Sequence, residues 1–571
     1  MQDHSFEDHL LRDWKAAGRD RTRLLAAALL VAVVMCAAFT AAASWILVVL
    51  HLLKGLGESG AFTVRLLLKG AVFTAVTLPS GWGLWRFRQH LPHSVPEAAQ
   101  RLGAGRLDRA GLAAALAFAA ALILPHLDTY PWAAPDEMHH LQVARNLAVH
   151  GLYASGNPDK GFRTFDTYDS VGAPVIVPVA GAFRLLGVGL RPARLVMAAY
   201  YVILCLAVYA LVKPVWGSAA SAAGLVVMTM GFGSVYLGRT LYGEAPAMAL
   251  TALGLLAWRK GLGAGGAVRW GLAAGIAFGL AILSKSIMVL SAFAFAGALA
   301  FDLISFRRIA WRHVLAPACG LVLAVGTWWA VQSVAAHDVA DAAGTTLAQY
   351  QHNLLFGARS AAHGLAWIAQ EPVTALWLAA AMALAVPTVF YRRYDPALVV
   401  LFLMAILYAF WWVFFTPGRI PRYLWYSYAV GGLFAGIMAW RALHDAVDGR
   451  RDLFARGLCL AVALCVAVPA VARTSSEFGR VHALDDMADD AALARCVDAL
   501  PRETKVATTY WPVAGTLDFL TGRNVPVLAA LEAGVGTSTV VVVDARTQEA
   551  LLRDEDVIER IGHYAIVAAG E

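Results

Sequence analysis

A polytopic α-helical membrane protein with a small extramembrane α/β domain at its C-terminus is predicted by three observations. Of 571 residues, 59% are hydrophobic and only 15% charged, and the mean hydropathy is +0.61, a value that water-soluble globular chains rarely reach. The apolar residues fall in runs long enough for a bilayer, which takes roughly 20 residues of helix. Acidic residues and short β-branched runs gather only after about residue 474.

About thirteen segments qualify as spans, near residues 24–46, 67–85, 111–127, 193–213, 218–236, 243–258, 270–284, 287–304, 314–332, 373–391, 396–414, 423–441 and 456–473. The first has too long an apolar core for a cleaved signal and is expected to stay in the protein. Lys and Arg in short loops favour the cytoplasmic side. Arg12, Lys15, Arg19, Arg21 and Arg23 therefore place the N-terminus inside. Inside, by the same rule, go Arg86 to Arg109, Arg259 with Lys260 and Arg269, Arg307 with Arg308 and Arg312, Arg392 with Arg393, and Arg450 with Arg451 and Arg456. An odd number of spans leaves the C-terminus outside.

Gly172 to Leu186 is apolar but short, holds Pro174 and Pro178, and carries Arg184, so it is expected to lie at the outer surface. Counting it as a span would move Arg392–Arg393 and Arg450–Arg451 outside, against the charge rule. Three parts follow: 1–110 with two extra spans, a transmembrane module 111–473 with a large outer loop 128–192, and an outer domain 474–571. A bacterial inner membrane is the expected setting, on the Ala-rich composition.

In the outer domain, strands are expected at Lys505–Tyr510, Val525–Ala529, Thr539–Asp544 and His563–Ala568, with helices at Asp485–Leu500 and Thr547–Arg553. No glycine-rich phosphate loop supports nucleotide binding there, so packing or acceptor docking is the expected role. Five of the six cysteines (Cys36, Cys205, Cys319, Cys459 and Cys465) fall in expected spans and only Cys496 outside, which gives neither a metal spacing nor a disulfide framework. The net charge of +7 fits cytoplasmic arginines against anionic headgroups, and no basic stripe interleaved with aromatics suggests nucleic acid.

Chemistry is expected at Asp136 and Glu137, which follow the run Gly111 to Leu127 at the mouth of a span. Pro135 suits the first position of a helix and Gly151 can close it after His150, so both carboxylates lie in the first turn at the positive end of the helix dipole. An ionised carboxylate there suits a general base acting on a hydroxyl; the plainer alternative is that the pair only stabilises the helix start. His139 and His140 invite a metal, but neighbours on a helix point about 100° apart and cannot easily share one ion with both acids. No cofactor is therefore expected.

The run Asp136-Glu-Met-His-His-Leu-Gln-Val-Ala-Arg-Asn-Leu-Ala-Val-His-Gly151 resembles the first outer loop of the GT-C glycosyltransferases of the protein O-mannosyltransferase and lipid A aminoarabinose transferase type. Later stretches follow the family order: the Pro-containing helix Ala173 to Leu186, Arg194-Leu195, Gly238-Arg-Thr-Leu-Tyr-Gly-Glu-Ala245, Gly279-Leu-Ala-Ile-Leu-Ser-Lys-Ser286 and Pro421-Arg-Tyr-Leu424. The similarity covers roughly residues 111–571. It implies transfer of a monosaccharide from a polyprenyl-phosphate carrier to a hydroxyl of a glycolipid, envelope polysaccharide or protein on the outer face, with inversion. It further implies Asp136 as base, Glu137 as a pocket residue and Glu244 as a second acid; the span count puts Glu244 on the same face as Asp136.

A departing lipid phosphate needs positive charge. Lys285, Arg419 and Arg422 are outside by the same count, with Lys285 open equally to snorkelling. Divalent cations matter in the related oligosaccharyltransferases, which keeps a metal in view. The loop Val334 to Ser360, with Tyr350 and His352, is a candidate to close over substrate. Trp328, Trp329, Trp411, Trp412, Trp425 and Tyr426 read as an interfacial belt. A secondary transporter, or a polymerase or ligase of lipid-linked polysaccharide, is the competing reading; the first would show midplane charges and an internal repeat.

Overall fold

The computed structural model describes residues 106–155, 163–164, 171–231, 233–262, 266–306, 311–335, 366, 395–415, 421–447, 487–508, 511–523, 525, 539–544 and 557–568. The expected spans near 24–46, 67–85, 373–391 and 456–473, the candidate residues Arg419, Tyr350 and His352, and the expected helix Thr547–Arg553 lie outside them.

Helix α1 (Arg106–Ile123) leads to α2 (Pro135–His150), which carries the acidic pair. A two-stranded ribbon, β1 (Ala154–Ser155) with β2 (Arg163–Thr164), precedes α3 (Ala173–Leu186). Fourteen residues rise only about 21 Å, too little for the hydrocarbon core. This matches the expectation of a non-spanning helix. Next come α4 (Leu190–Trp216), α5 (Ser218–Met230), α6 (Ser234–Leu237), α7 (Glu244–Leu262), α8 (Ala267–Ser284), α9 (Val289–Phe306), α10 (Arg312–Ala335), α11 (Pro396–Phe415) and α12 (Trp425–Val447). Among the described residues, four helical stretches are long and apolar enough to cross a membrane: Leu190–Trp216, Ala267–Ser284, Arg312–Gln332 and Pro396–Val413. The expected span 218–236 is divided, because α5 stops at Met230 and Gly233 takes the left-handed φ of 76° before α6.

Close packing of α8 on α10 follows from a sequence device. Gly271, Gly275 and Gly279 recur every four residues on α8, and a Cβ on Gly275 would collide with the Pro317 carbonyl oxygen of α10. Gly320 of α10 returns the contact, since its Cβ would collide with the Leu272 carbonyl. Small residues at this spacing let two helices approach backbone to backbone. The aromatic residues expected in the interfacial belt divide: Trp329 is 58% exposed, whereas Trp411, Trp412, Trp425 and Tyr426 are buried in the core with Tyr408 and Tyr428. Tyr426 stacks on Tyr408 at 4.2 Å, so packing between α11 and α12, not the lipid boundary, fixes these rings.

Charges segregate to two ends of the bundle. Arg259, near the end of α7, pairs with Asp395 at 3.2 Å and donates to the carbonyls of Ala210 and Leu211. Glu244 begins the same helix at the other end.

Residues 487–568 carry a separate core. α13 (Ala488–Ala499) and α14 (Trp511–Thr521) pack on a sheet ordered β3 (Lys505–Thr508), β4 (Thr539–Asp544), β6 (Tyr564–Ala568), β5 (Val557–Ile561). β3 and β4 run parallel; β4, β6 and β5 run antiparallel. β5 and α14 occupy segments with no element expected, and the strand expected at Val525–Ala529 lies, beyond Val525, outside the described residues.

Gly275→Leu is expected to lower the midpoint of thermal unfolding of the detergent-solubilised protein, by the equivalent of about 1–3 kcal/mol of overpacking. Gly326→Leu on α10, where a Cβ meets nothing within 4 Å, should leave it unchanged.

Candidate active site

Helix α2 forms as the sequence implies. Pro135 opens it and Gly151, at φ 72°, closes it by donating its N–H to the Asn146 carbonyl. Arg184 of α3 donates to the carbonyls of Leu147 and Ala148, which satisfies the last turn. The two carboxylates of the first turn then part company, because consecutive side chains on a helix diverge by about 100°.

Glu137 turns inward and is fully buried. Both its oxygens accept from Arg194 of α4, Nε to Oε1 at 3.1 Å and Nη2 to Oε2 at 2.9 Å, and Oε1 also takes the Leu241 N–H at 3.2 Å. Arg194 also donates through Nη1 and Nη2 to the carbonyls of Leu127 and Pro131. The Glu137 carboxylate thus has no exposed face, and it holds α2 against α4 and the loop 238–243. His140, one turn on, completes this seam. Its Nδ1 lies 2.8 Å from the Leu241 carbonyl, which only accepts, so Nδ1 carries the proton. Burial, with smaller contributions from His139 and Lys285, pushes His140 down to about 3, so the ring is neutral and its nitrogens serve structure. Among the described residues no group of three His, Cys, Asp or Glu side chains gathers to hold a metal.

Asp136 turns outward, with its side chain about half exposed. Arg422 Nη2 donates to its Oδ2 at 2.7 Å. Partial burial raises the Asp136 carboxyl; the hydrogen bond and charge of Arg422 outweigh that and hold it below the usual carboxylate value, with help from His140 and Lys285. Arg422 sits in the 3₁₀ turn Pro421–Leu424, its guanidinium 4.3 Å from the centre of the Tyr242 ring and 5.4 Å from that of Tyr423. Tyr242 in turn stacks on Tyr236, with their hydroxyls 3.1 Å apart. These cation–π contacts fix the direction of a side chain that could otherwise swing free.

Glu244 and Lys285 form the second half of the site, 3.6 Å apart. Both are buried, which corrects the snorkelling alternative for Lys285. Lys285 follows the last residue of α8, and two glycines let loops reach that helix end: Cβ atoms on Gly172 and Gly243 would collide with the carbonyls of Leu283 and Ser284. The two Glu244 oxygens accept no hydrogen bond among the described residues. Its charge acts on Arg422, which links the two pairs electrostatically. Asp136, Glu244, Lys285 and Arg422 therefore lie together. Tyr242 and Arg239 were hidden within the Gly238–Ala245 motif, with Tyr236 just before it; Arg239 is buried, donates to the Pro125 carbonyl and faces the Tyr130 ring. Arg194 was visible only as part of an Arg-Leu pair.

An apolar groove of about 590 Å³ runs between α3, α4, α7, α8 and α10, lined by Pro174, Val177, Tyr200, Leu250, Leu280, Leu283, Leu323 and Trp328 among others. Leu283 of its wall lies two residues from Lys285.

Arg194→Ala is expected to lower stability by about 3–5 kcal/mol, because Glu137 is left buried and uncompensated; a denaturation series in detergent reads this. His140 adds a pH dependence. Its folded value, about 3, lies below the ordinary 6.5, so the unfolded chain takes up the extra proton between them. Its contribution should be complete above pH 6.5 and lost as pH falls from 6.5 towards 3, and His140→Gln should flatten that part of the profile.

Residues 174–329, from α3 to α10, match the family described as dolichyl-phosphate-mannose-protein mannosyltransferase, a stretch that contains Arg194, Glu244 and Lys285 but neither Asp136 nor Arg422. Among solved structures, ArnT from Cupriavidus metallidurans bound to undecaprenyl phosphate aligns at a TM-score of 0.54 and 17% identity, over 82% of this chain and 99% of that one. The oligosaccharyltransferase AglB from Archaeoglobus fulgidus, in complex with an inhibitory peptide and a dolichol-phosphate, aligns at 0.50 and 14% identity, over 78% of this chain and 70% of that one. No curated protein matches by sequence. The fold of this chain is that of the GT-C membrane glycosyltransferases.

Proposed function

We propose that this chain transfers a monosaccharide from a polyprenyl-phosphate carrier to an acceptor hydroxyl at the outer face of a bacterial inner membrane, with Asp136 as the general base. The observation that carries the reading is the convergence of one half-exposed carboxylate, Asp136, with two cations, Arg422 and Lys285, at the end of the bundle opposite Arg259. Nucleophile activation needs the first, and a departing phosphate needs the others.

In the reaction, Asp136 takes the proton of the acceptor hydroxyl as its oxygen attacks the anomeric carbon. The bond from that carbon to the phosphate oxygen breaks, and the lipid phosphate leaves with the electron pair. Attack opposite the leaving group inverts the anomeric centre. Arg422 and Lys285 offset the charge on the phosphate, and the groove beginning near Lys285 takes the first isoprene units. Glu244 holds Lys285 as the buried counter-charge of that pair.

Donor binds first in this scheme. Without it, Arg422 grips Asp136 and keeps its carboxyl a weak base. A phosphate drawing the guanidinium away returns basicity to Asp136 when an acceptor can use it. No resident cofactor is invoked, and membrane lipids are a further partner.

Purified protein with a panel of synthetic polyprenyl-phosphate sugars and a cell-envelope extract tests the reading. Asp136→Asn should reduce transfer roughly 100- to 10,000-fold without altering folding, and Arg422→Ala roughly 100- to 1,000-fold. With Arg422 gone, burial remains as the larger influence on Asp136. The acid limb of the kcat/KM profile should then move to higher pH. Equal transfer by the wild type and Asp136→Asn would remove Asp136 from the mechanism; no transfer from any donor would favour a transporter or a polymerase.

A further inference from the structure

The C-terminal fold grips α2 and the residues leading into it at points that bracket Asp136. Four residues before it, Trp132 Nε1 donates to Asp490 Oδ2 at 3.1 Å, while Tyr564 of β6 donates to the other oxygen of the same carboxylate at 2.7 Å. Asp490 is almost completely buried by these contacts. The Ala133 N–H meets Met487 Sδ at 3.3 Å. Six residues after Asp136, Gln142 Nε2 donates to Asp518 Oδ2 at 2.9 Å, and Asp518 Oδ1 accepts the Val525 N–H at 2.7 Å. Arg145 Nη1 donates to the carbonyls of Asp518 and Phe519 at 2.7 and 3.3 Å. Gly522 gives that guanidinium its room, since a Cβ there would collide with it.

We infer that the C-terminal domain is a positioning element for Asp136, acting through Asp490 and Asp518 on the segment 132–145. The inference rests on the proposed reaction in taking Asp136 as the base. A helix held along one face by Glu137 and His140 can still roll about that seam. With side chains extending about 6 Å from the axis, a roll of about 10° shifts the Asp136 carboxylate by about 1 Å. A misplacement of that size costs a reaction up to roughly 100-fold. Contacts from a second body to a second face, at Trp132, Gln142 and Arg145, block the roll. They are directional hydrogen bonds to buried or half-buried carboxylates and carbonyls, which set an angle where apolar packing alone would tolerate several.

The test compares the full chain in lipid nanodiscs with Trp132→Phe/Gln142→Leu, which removes the side-chain hydrogen bonds to the Asp490 and Asp518 carboxylates and leaves those of Arg145, and with Trp132→Phe/Gln142→Lys, which returns a donor facing Asp518. Hydrogen exchange of the amides in 137–150 should rise at least tenfold in the first variant while peptides from α7 and α8 keep their protection. With any polyprenyl-phosphate sugar the wild type turns over, kcat should fall roughly 10- to 100-fold at unchanged donor KM, and the lysine variant should recover most of it. Unchanged exchange in α2, or a rise throughout the bundle, overturns the inference, as does a fall confined to KM. Exchange is read without substrate, so a wild type that transfers no sugar counts against the reaction and leaves this decision to the exchange data.

Discussion

The buried pair of Glu137 and Arg194 is the constraint on which the site depends. Four hydrogen bonds from one guanidinium and three to one carboxylate join α2 to α4, to the carbonyls at 127 and 131 and to the amide of Leu241. Such a pair gives up hydration worth several kcal/mol per ion, and the many hydrogen bonds its donors and acceptors make offset that loss. What it supplies is a fixed angle. With Glu137 committed inward, helix geometry turns Asp136 about 100° away and leaves it half-exposed beside Arg422. Two adjacent acids that look equivalent in sequence thus have opposite duties, and the inner one sets the direction of the outer.

Each cation of the site is matched by an acid in the absence of substrate: Arg422 by Asp136, Lys285 by Glu244. Such pairing lets positive groups persist at a partly desolvated position without anions from solvent. It also means that a phosphate competes with existing partners. The Arg422 contact is the easier to exchange, since its acid is half-exposed and can be rehydrated, whereas the Glu244–Lys285 pair is sealed. Lys285 therefore suits a standing charge and Arg422 a movable one. The rings of Tyr242 and Tyr423 flank the guanidinium that makes this exchange.

Legibility in the sequence followed the range of the interactions. Pro135, the acids and Gly151 are local signals, and the helix runs between them as expected. Asp136, Glu244, Lys285 and Arg422 were found through motifs in a shared order. Their pairings were not, because partners 41 and 286 residues apart leave no mark in one sequence. The same blindness affected Arg194, whose acid lies 57 residues upstream. Trp411, Trp412, Trp425 and Tyr426 sit near span ends and so mimic an interfacial belt, but whether a ring faces lipid or a neighbouring helix is a tertiary fact. In the C-terminal domain the buried strands β3, β4 and β6 were readable, while β5, with its exposed Glu559 and Arg560, lacked the apolar signature.

Helix α2 explains why its own pattern is faint. Positions 137 and 140 face the loop 238–243, positions 138, 142 and 145 face the C-terminal domain, and 136 faces the site. A helix buried on one side shows one apolar stripe. Here two partners of different character divide the circumference, and much of what they bind is polar: a carboxylate, an imidazole, an amide and a guanidinium. The result is a short helix of near-neutral hydropathy that would be marginal alone and takes its order from what it touches. Sixteen residues whose conformation is set from two sides are a firm base for a proton acceptor. The same arrangement makes the residues behind Asp136 as consequential as the carboxylate itself.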